Sequence, residues 1–221
     1  MQPPEAGTGP LVVPIGDSPD TRFFIELSSH AADLAEARNA GKLALGAIEG
    51  SPLEVAKPAL IGYAVIAFCR TILPSKVRRP LTKLVGMSGE MEATAKAIRM
   101  FRNRAVAHSQ SDLSTTHAVA LLEPGTARIR DVCAATVNVT LPDDLLEGLI
   151  DLIDALEARI DEVLAPVRQR LDAGLAAIDP ECLIASATTL DVRHKSVAEF
   201  NALSTRRPYP RSQVLYWTSK S

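Results

Sequence analysis

Apolar side chains along this chain recur mostly at steps of three and four, the spacing of one helix face, and only briefly at steps of two. Asp20 is placed to cap a helix that begins near Phe23. Ile25, Leu27, Ala31, Leu34, Ala35, Leu43, Leu45 and Ile48 give that helix its apolar side, and Gly50 ends it. Gly41 weakens its middle. Ser51, Pro52 and Glu54 read as N-cap, first helical position and capping-box acid of a second helix running to Leu73. That helix is apolar nearly all round (Leu60, Ile61, Val65, Ile66, Phe68), the pattern of a central buried element, with Pro58 expected to kink or reset its first turns. Pro74 to Met87 is a basic loop with a helical turn around Leu81 to Val85. Ser88 opens a third helix whose Met91, Ala95, Ile98 and Phe101 face the core.

The period then changes. His117 to Leu122 and Ile129 to Val139 are alternating or β-branched and are separated by Pro124-Gly125-Thr126, which predicts a small hairpin. From Pro142 to about Leu171 the helical period returns. Leu149, Ile153, Leu156, Ile160, Val163 and Val167 form a seam typical of bundle packing, and Pro166 is expected to kink its end. Asp179-Pro180 breaks the chain, Asp191 to Leu203 reads as one more short helix, and Ser204 onward reads as an extended basic tail. The expected fold is all-α: a helical bundle with a small β-hairpin insertion after the third helix. Residues 1–18 form an extended lead-in, 19–175 the helical domain, and 176–221 an extension with a short helix and a basic tail.

Composition narrows the class. Apolar residues make up 47% of 221 and aromatics only 4%, which suits helices packed on small aliphatic side chains. Formal net charge is −2, so no global charge argues for nucleic acid, but the charge is locally segregated. Nine Lys and Arg fall between Arg70 and His108 against Glu90 and Glu92, whereas eight acids fall between Asp143 and Glu162 against Arg159. Cys69, Cys133 and Cys182 have no paired spacing and suit a reducing compartment. Without an apolar leader or an apolar run of about 18 residues, the chain reads as cytoplasmic, with no membrane partner.

The chemistry-bearing stretch is Ile98-Arg-Met-Phe-Arg-Asn-Arg-Ala-Val-Ala-His-Ser-Gln110. If the helix continues through it, Arg104 and His108 share a face, and Arg102 sits within a side chain's reach of that face. A guanidinium grips phosphate oxygens as a fork, an imidazole exchanges protons near neutrality, and Asn103 can hold a ribose hydroxyl or the imidazole ring. These parts suffice to attack a phosphodiester without a metal. The plainer reading of an Arg-Asn-Arg run is a solvated helix face, with the histidine capping carbonyls at the helix end. His30, His117 and His194 stand alone, which leaves no expected metal site. Tyr216-Trp217 could stack a base, although terminal aromatics more often dock on their own fold.

Phe101-Arg102-Asn103-Arg104-Ala105-Val106-Ala107-His108-Ser109, preceded by Ala67-Phe68-Cys69-Arg70, resembles the signature of HEPN-domain proteins, specifically the group of abortive-infection AbiU-type and toxin-like proteins. The similarity covers roughly residues 51 to 170. It implies a helical bundle, a two-fold homodimer that brings two motifs together, and metal-independent endoribonuclease activity without a cofactor. Arg102, Asn103 and His108 match the catalytic positions, and Arg104 falls on a variable basic one. RNA would run along Arg70, Arg78, Arg79, Lys83, Arg99 and Arg104. Many members of the superfamily are instead non-catalytic RNA- or protein-binding scaffolds, and that alternative stays open. So does an antitoxin or other protein partner, for which the acidic helix from Asp143 to Glu162 offers a surface.

Overall fold

The computed structural model describes residues 13–106, 113–186, 192–201, 204–205, 207–210 and 212–217. Its helices are α1 (Pro19–Leu45), α2 (Lys57–Ile72), α3 (Gly89–Phe101), α4 (Asp143–Ala176) and α5 (Pro180–Ser186). Its strands are β1 (Ser114–Leu122), β2 (Ile129–Asn138), β3 (Val192–Ser196) and β4 (Gln213–Trp217). The strands form an antiparallel β1–β2 hairpin and a parallel β3–β4 pair, so the fold is mixed α/β and the all-α expectation fails. The hairpin was expected. The parallel pair was not, because its strands are joined only through the intervening chain, and Val192-Arg-His-Lys-Ser196 carries no alternating apolar pattern.

Contacts divide the chain into two compact units. Unit 1 comprises Met1–Ser28, Lys76–Arg78 and Glu162–Ser221; unit 2 comprises Ser29–Ser75 and Arg79–Asp161. In unit 1, Arg170 donates two hydrogen bonds to the Asp20 carboxylate, at 2.7 and 2.8 Å. Asp20 is therefore not the cap of α1. Ser18 is: its Oγ accepts from the Thr21 amide at 3.1 Å, and Pro19 takes the first helical position, where its missing N–H costs nothing. Of the stretch expected as a helix from Asp191 to Leu203, the described residues 192–201 are not α-helical. They hold β3 and a single 3₁₀ turn, Val197–Glu199, and Phe200 meets Tyr216 edge to face at 5.2 Å between ring centres. Tyr216 is thus docked within its own chain, while Tyr209 donates its hydroxyl to the Ile15 carbonyl at 2.7 Å.

Unit 2 holds the core that positions the motif. α2 buries Ile61, Ala64, Val65, Ala67, Phe68 and Cys69 but leaves Tyr63 and Ile66 exposed, so it is covered on one side and not all round as its apolar pattern suggests. It starts five residues later than the capping-box pattern suggests, because Glu54 turns back to accept from the Gly50 amide at 2.6 Å instead of capping a helix at Ser51. Pro58 consequently lies in the first turn of α2, so of the two expected effects it resets the helix start and does not kink the helix. Thr71, fully buried, satisfies its hydroxyl on the Phe68 carbonyl at 2.7 Å. The α4 seam is buried at Leu149, Ile153, Leu156 and Ile160.

Gly41 has a structural role that helix propensity alone does not show. A Cβ built there would stand 3.4 Å from both Ile150 Cγ1 and Leu146 Cδ1, so α1 and α4 approach at van der Waals distance with only hydrogen between them. Gly41→Ala fills this gap without displacing a neighbour and should leave stability equal or slightly raised. Gly41→Val pushes two methyls into Leu146 and Ile150 and should lower stability by about 1–3 kcal/mol, read from urea midpoints at constant slope.

Candidate functional site

The α3 helix is capped as expected: Ser88 Oγ accepts from the Met91 amide at 3.4 Å, and Ala95 and Ile98 are buried. Its end departs from the expected continuous helix. The α-helix stops at Phe101, and Arg102–Val106 forms a π-turn. The wider turn advances each residue by less rotation than an α-turn does, so the spacing argument that put Arg104 and His108 on one face does not carry over. His108 itself lies outside the described residues.

Three contacts define the described part of the site. The Arg102 amide donates to the Ile98 and Arg99 carbonyls, anchoring the turn to α3. Arg102 Nη1 donates to Asn103 Oδ1 at 3.1 Å, which joins the two expected catalytic side chains at the surface. Val106 faces α2 at Gly62, where an added Cβ would lie 3.9 Å from Val106 Cγ1. Gly62 is a residue the sequence reading passed over. Its only signal was a glycine inside an otherwise apolar helix, where it costs helix stability.

Cys69, on α2, connects this turn to the core. Burial pushes its thiol up to about 11, a rise that the positive charges of Arg102 and then Arg99 oppose but do not cancel. Both guanidiniums therefore act on the buried flank of α2 while Asn103 and Arg104 are exposed.

The expected RNA-binding residues do not behave as one group. Arg70 is held inside unit 2: its Nη2 lies 3.1 Å from Asp33 and 2.6 Å from Glu36, and Glu36 also accepts the Tyr63 hydroxyl at 2.7 Å. The Tyr63 hydroxyl and then Arg70 keep the Glu36 carboxyl below its ordinary value, so the cluster persists until the medium is well acidified. A guanidinium committed in this way is a poor phosphate ligand. The Arg79 carbonyl is bonded to His30 Nε2 at 3.0 Å, with the imidazole as donor. Arg78 belongs to unit 1, whereas Arg79 belongs to unit 2. Lys83, Arg99 and Arg104 are exposed and form no ion pair among the described residues. On α4, Lys57 reaches Asp143 at 3.0 Å and Arg38 bonds to both Asp154 and Glu157, so part of the acidic face is neutralised within the unit. Among the described residues, no three His, Cys, Asp or Glu side chains converge as metal ligands, and no helix is long and apolar enough to cross a membrane.

Comparison with protein-family models, with curated proteins and with solved structures finds no match for this chain.

The environment of Cys69 makes a direct prediction. In a chain carrying Cys133→Ser and Cys182→Ser, Cys69 should resist a soluble disulfide reagent at pH 8 and react stoichiometrically only once denaturant is added. Full modification of the folded protein would contradict the burial and charge balance assigned to this flank.

Proposed function

We propose that this protein is a metal-independent endoribonuclease of HEPN type, with Arg102, Asn103 and His108 as its reacting group. The observation that carries the reading is the pairing of Arg102 with Asn103 where α3 gives way to a π-turn, in a string that reaches a histidine six residues after Arg102. Short π segments that interrupt helices are frequent at functional sites. Here the turn sets an exposed amide beside a guanidinium, at the end of a helix anchored to a buried neighbour.

The chemistry follows from the residue types. His108 takes the proton of a ribose 2′-hydroxyl, and the freed oxygen attacks the adjacent phosphorus. The bond to the 5′-oxygen breaks, leaving a 2′,3′-cyclic phosphate, and the leaving oxygen gains a proton. Arg102 stabilises the charge that builds on the phosphoryl oxygens. One imidazole cannot conveniently be base and acid in the same step, so a second copy of the chain supplies the other histidine. Lys83, Arg99 and Arg104 hold the RNA backbone, and Arg70 is left out of this set because Asp33 and Glu36 already engage it.

Purified wild-type chain, Arg102→Ala and His108→Ala should be incubated with RNA in excess chelator. Wild type should cleave, and each variant should lose about 10²-fold or more in rate while keeping its thermal midpoint. Equal cleavage by all three would remove the motif as the active centre. Retained RNA binding without cleavage by wild type would favour the non-catalytic scaffold.

A further inference from the structure

Among the described residues the outer edge of β1 is unpaired, uncharged and nine residues long, and we propose that a second copy of this chain pairs with it, joining two hairpins into one four-stranded antiparallel sheet, β2–β1–β1–β2. This inference does not depend on the ribonuclease reading, because the pairing uses backbone groups of β1 and no residue of the motif.

The register shows which backbone groups face outward. The Val139 amide donates to the Leu113 carbonyl at 2.6 Å, and the Glu123 amide to the Arg128 carbonyl at 3.0 Å. Odd-numbered positions along β1 therefore point their N–H and C=O toward β2. Ser114, Thr116, Ala118, Ala120 and Leu122 point theirs the other way. The hairpin is a sheet of two strands, so among the described residues nothing receives those groups.

The two edges of the hairpin differ. Natural sheets protect an exposed edge with charges, proline or a bulge. β2 has two of these devices: Arg130 and Asp131 lie on it, and Arg130 is the extra residue of a bulge, since Leu121 pairs with Asp131 and Leu122 with Ile129. β1, Ser-Thr-Thr-His-Ala-Val-Ala-Leu-Leu, carries no proline, lysine, arginine or carboxylate, and its pairing with β2 is regular from Ser114 to Leu121. The guarded edge selects against a partner, and the unguarded edge accepts one.

The sequence of β1 also fits a two-fold. With the axis at Ala118, Ala118 meets its own copy, Thr116 meets Ala120, and Ser114 meets Leu122. All five are outward-facing positions, so about ten ladder hydrogen bonds can form. On the opposite face His117 meets Val119 and Thr115 meets Leu121. No like charges oppose one another, and small residues at the axis let the strands reach normal spacing. Pairing covers Leu121 and Leu122, which are 47% and 56% exposed in the single chain.

Sedimentation of the full chain across the micromolar range tests this directly. Wild type should be a dimer. Ala118→Pro removes an outward N–H that the hairpin does not use, and should weaken the dimer about tenfold or more. Ala134→Pro makes the same change on the outer edge of β2 and should leave the dimer intact. Should Ala118→Pro fail to fold, cysteine pairing still decides the question. Mixed Thr115→Cys and Leu121→Cys chains should form a disulfide joining one of each under mild oxidation, and neither variant should do so alone. A monomeric wild type, an unweakened Ala118→Pro dimer, or the absence of the mixed disulfide would each overturn the proposal.

Discussion

Unit 2 is arranged around one side of α2 that is removed from water, while Tyr63 and Ile66 on its other side stay exposed. α2 presents aliphatic and aromatic side chains on almost every side, and Ile61, Ala64, Val65 and Phe68 are removed from water. Fully burying each of the larger ones contributes on the order of 1.5–3 kcal/mol, so the neighbouring chain must wrap α2 before anything else is settled. The π-turn is one consequence. Where α3 ends, Val106 comes against α2 at Gly62, and Arg102 and Arg99 come near enough to Cys69 for their charges to act on its thiol. The location of the chemistry-bearing residues is thus set by apolar packing, and their polarity only decides what they do once placed.

Charge pairing within the unit determines which cations can serve a ligand. The basic segment and the acidic helix look like two opposed faces when counted along the chain. In the folded unit, Arg70 is taken up by Asp33 and Glu36, Lys57 by Asp143, and Arg38 by Asp154 and Glu157. Pairs this exposed contribute little to stability, but they do occupy the groups involved. Of the cations expected to bind RNA, Lys83, Arg99 and Arg104 are exposed and have no such partner among the described residues. A binding surface read from linear charge counts is therefore too wide, and contact geometry narrows it.

How far the fold could be read depended on how local each determinant was. The Ser88 cap, the buried side of α2, the α4 seam and the hairpin around Gly125 all lie within a few residues of their signals, and they are present. The cap of α1 was misassigned by two residues, because Asp20 is drawn to Arg170, 150 positions away, and Ser18 takes its place. The Ser51 capping box failed because Glu54 bonds to Gly50 instead. β3 was read as helix since nothing in Val192 to Ser196 announces a partner strand at Gln213 to Trp217. At the candidate site, the residues were legible from the string around Arg102, but the π-turn was not. Alanine, arginine and asparagine there carry no mark that distinguishes a wider turn from an ordinary one.

Arg102, Asn103 and His108 are proposed to act on RNA through its own 2′-hydroxyl. The most direct measurement uses a short RNA of defined sequence, mapped for its cleavage position, alongside the same strand with a single 2′-deoxy nucleotide 5′ to the cut. The account predicts a 2′,3′-cyclic phosphate end on the normal strand and no cut at that linkage in the substituted one. Cleavage at the deoxy position, or a product ending in a 5′-phosphate and a 3′-hydroxyl, would show that water rather than the ribose attacks and would contradict it.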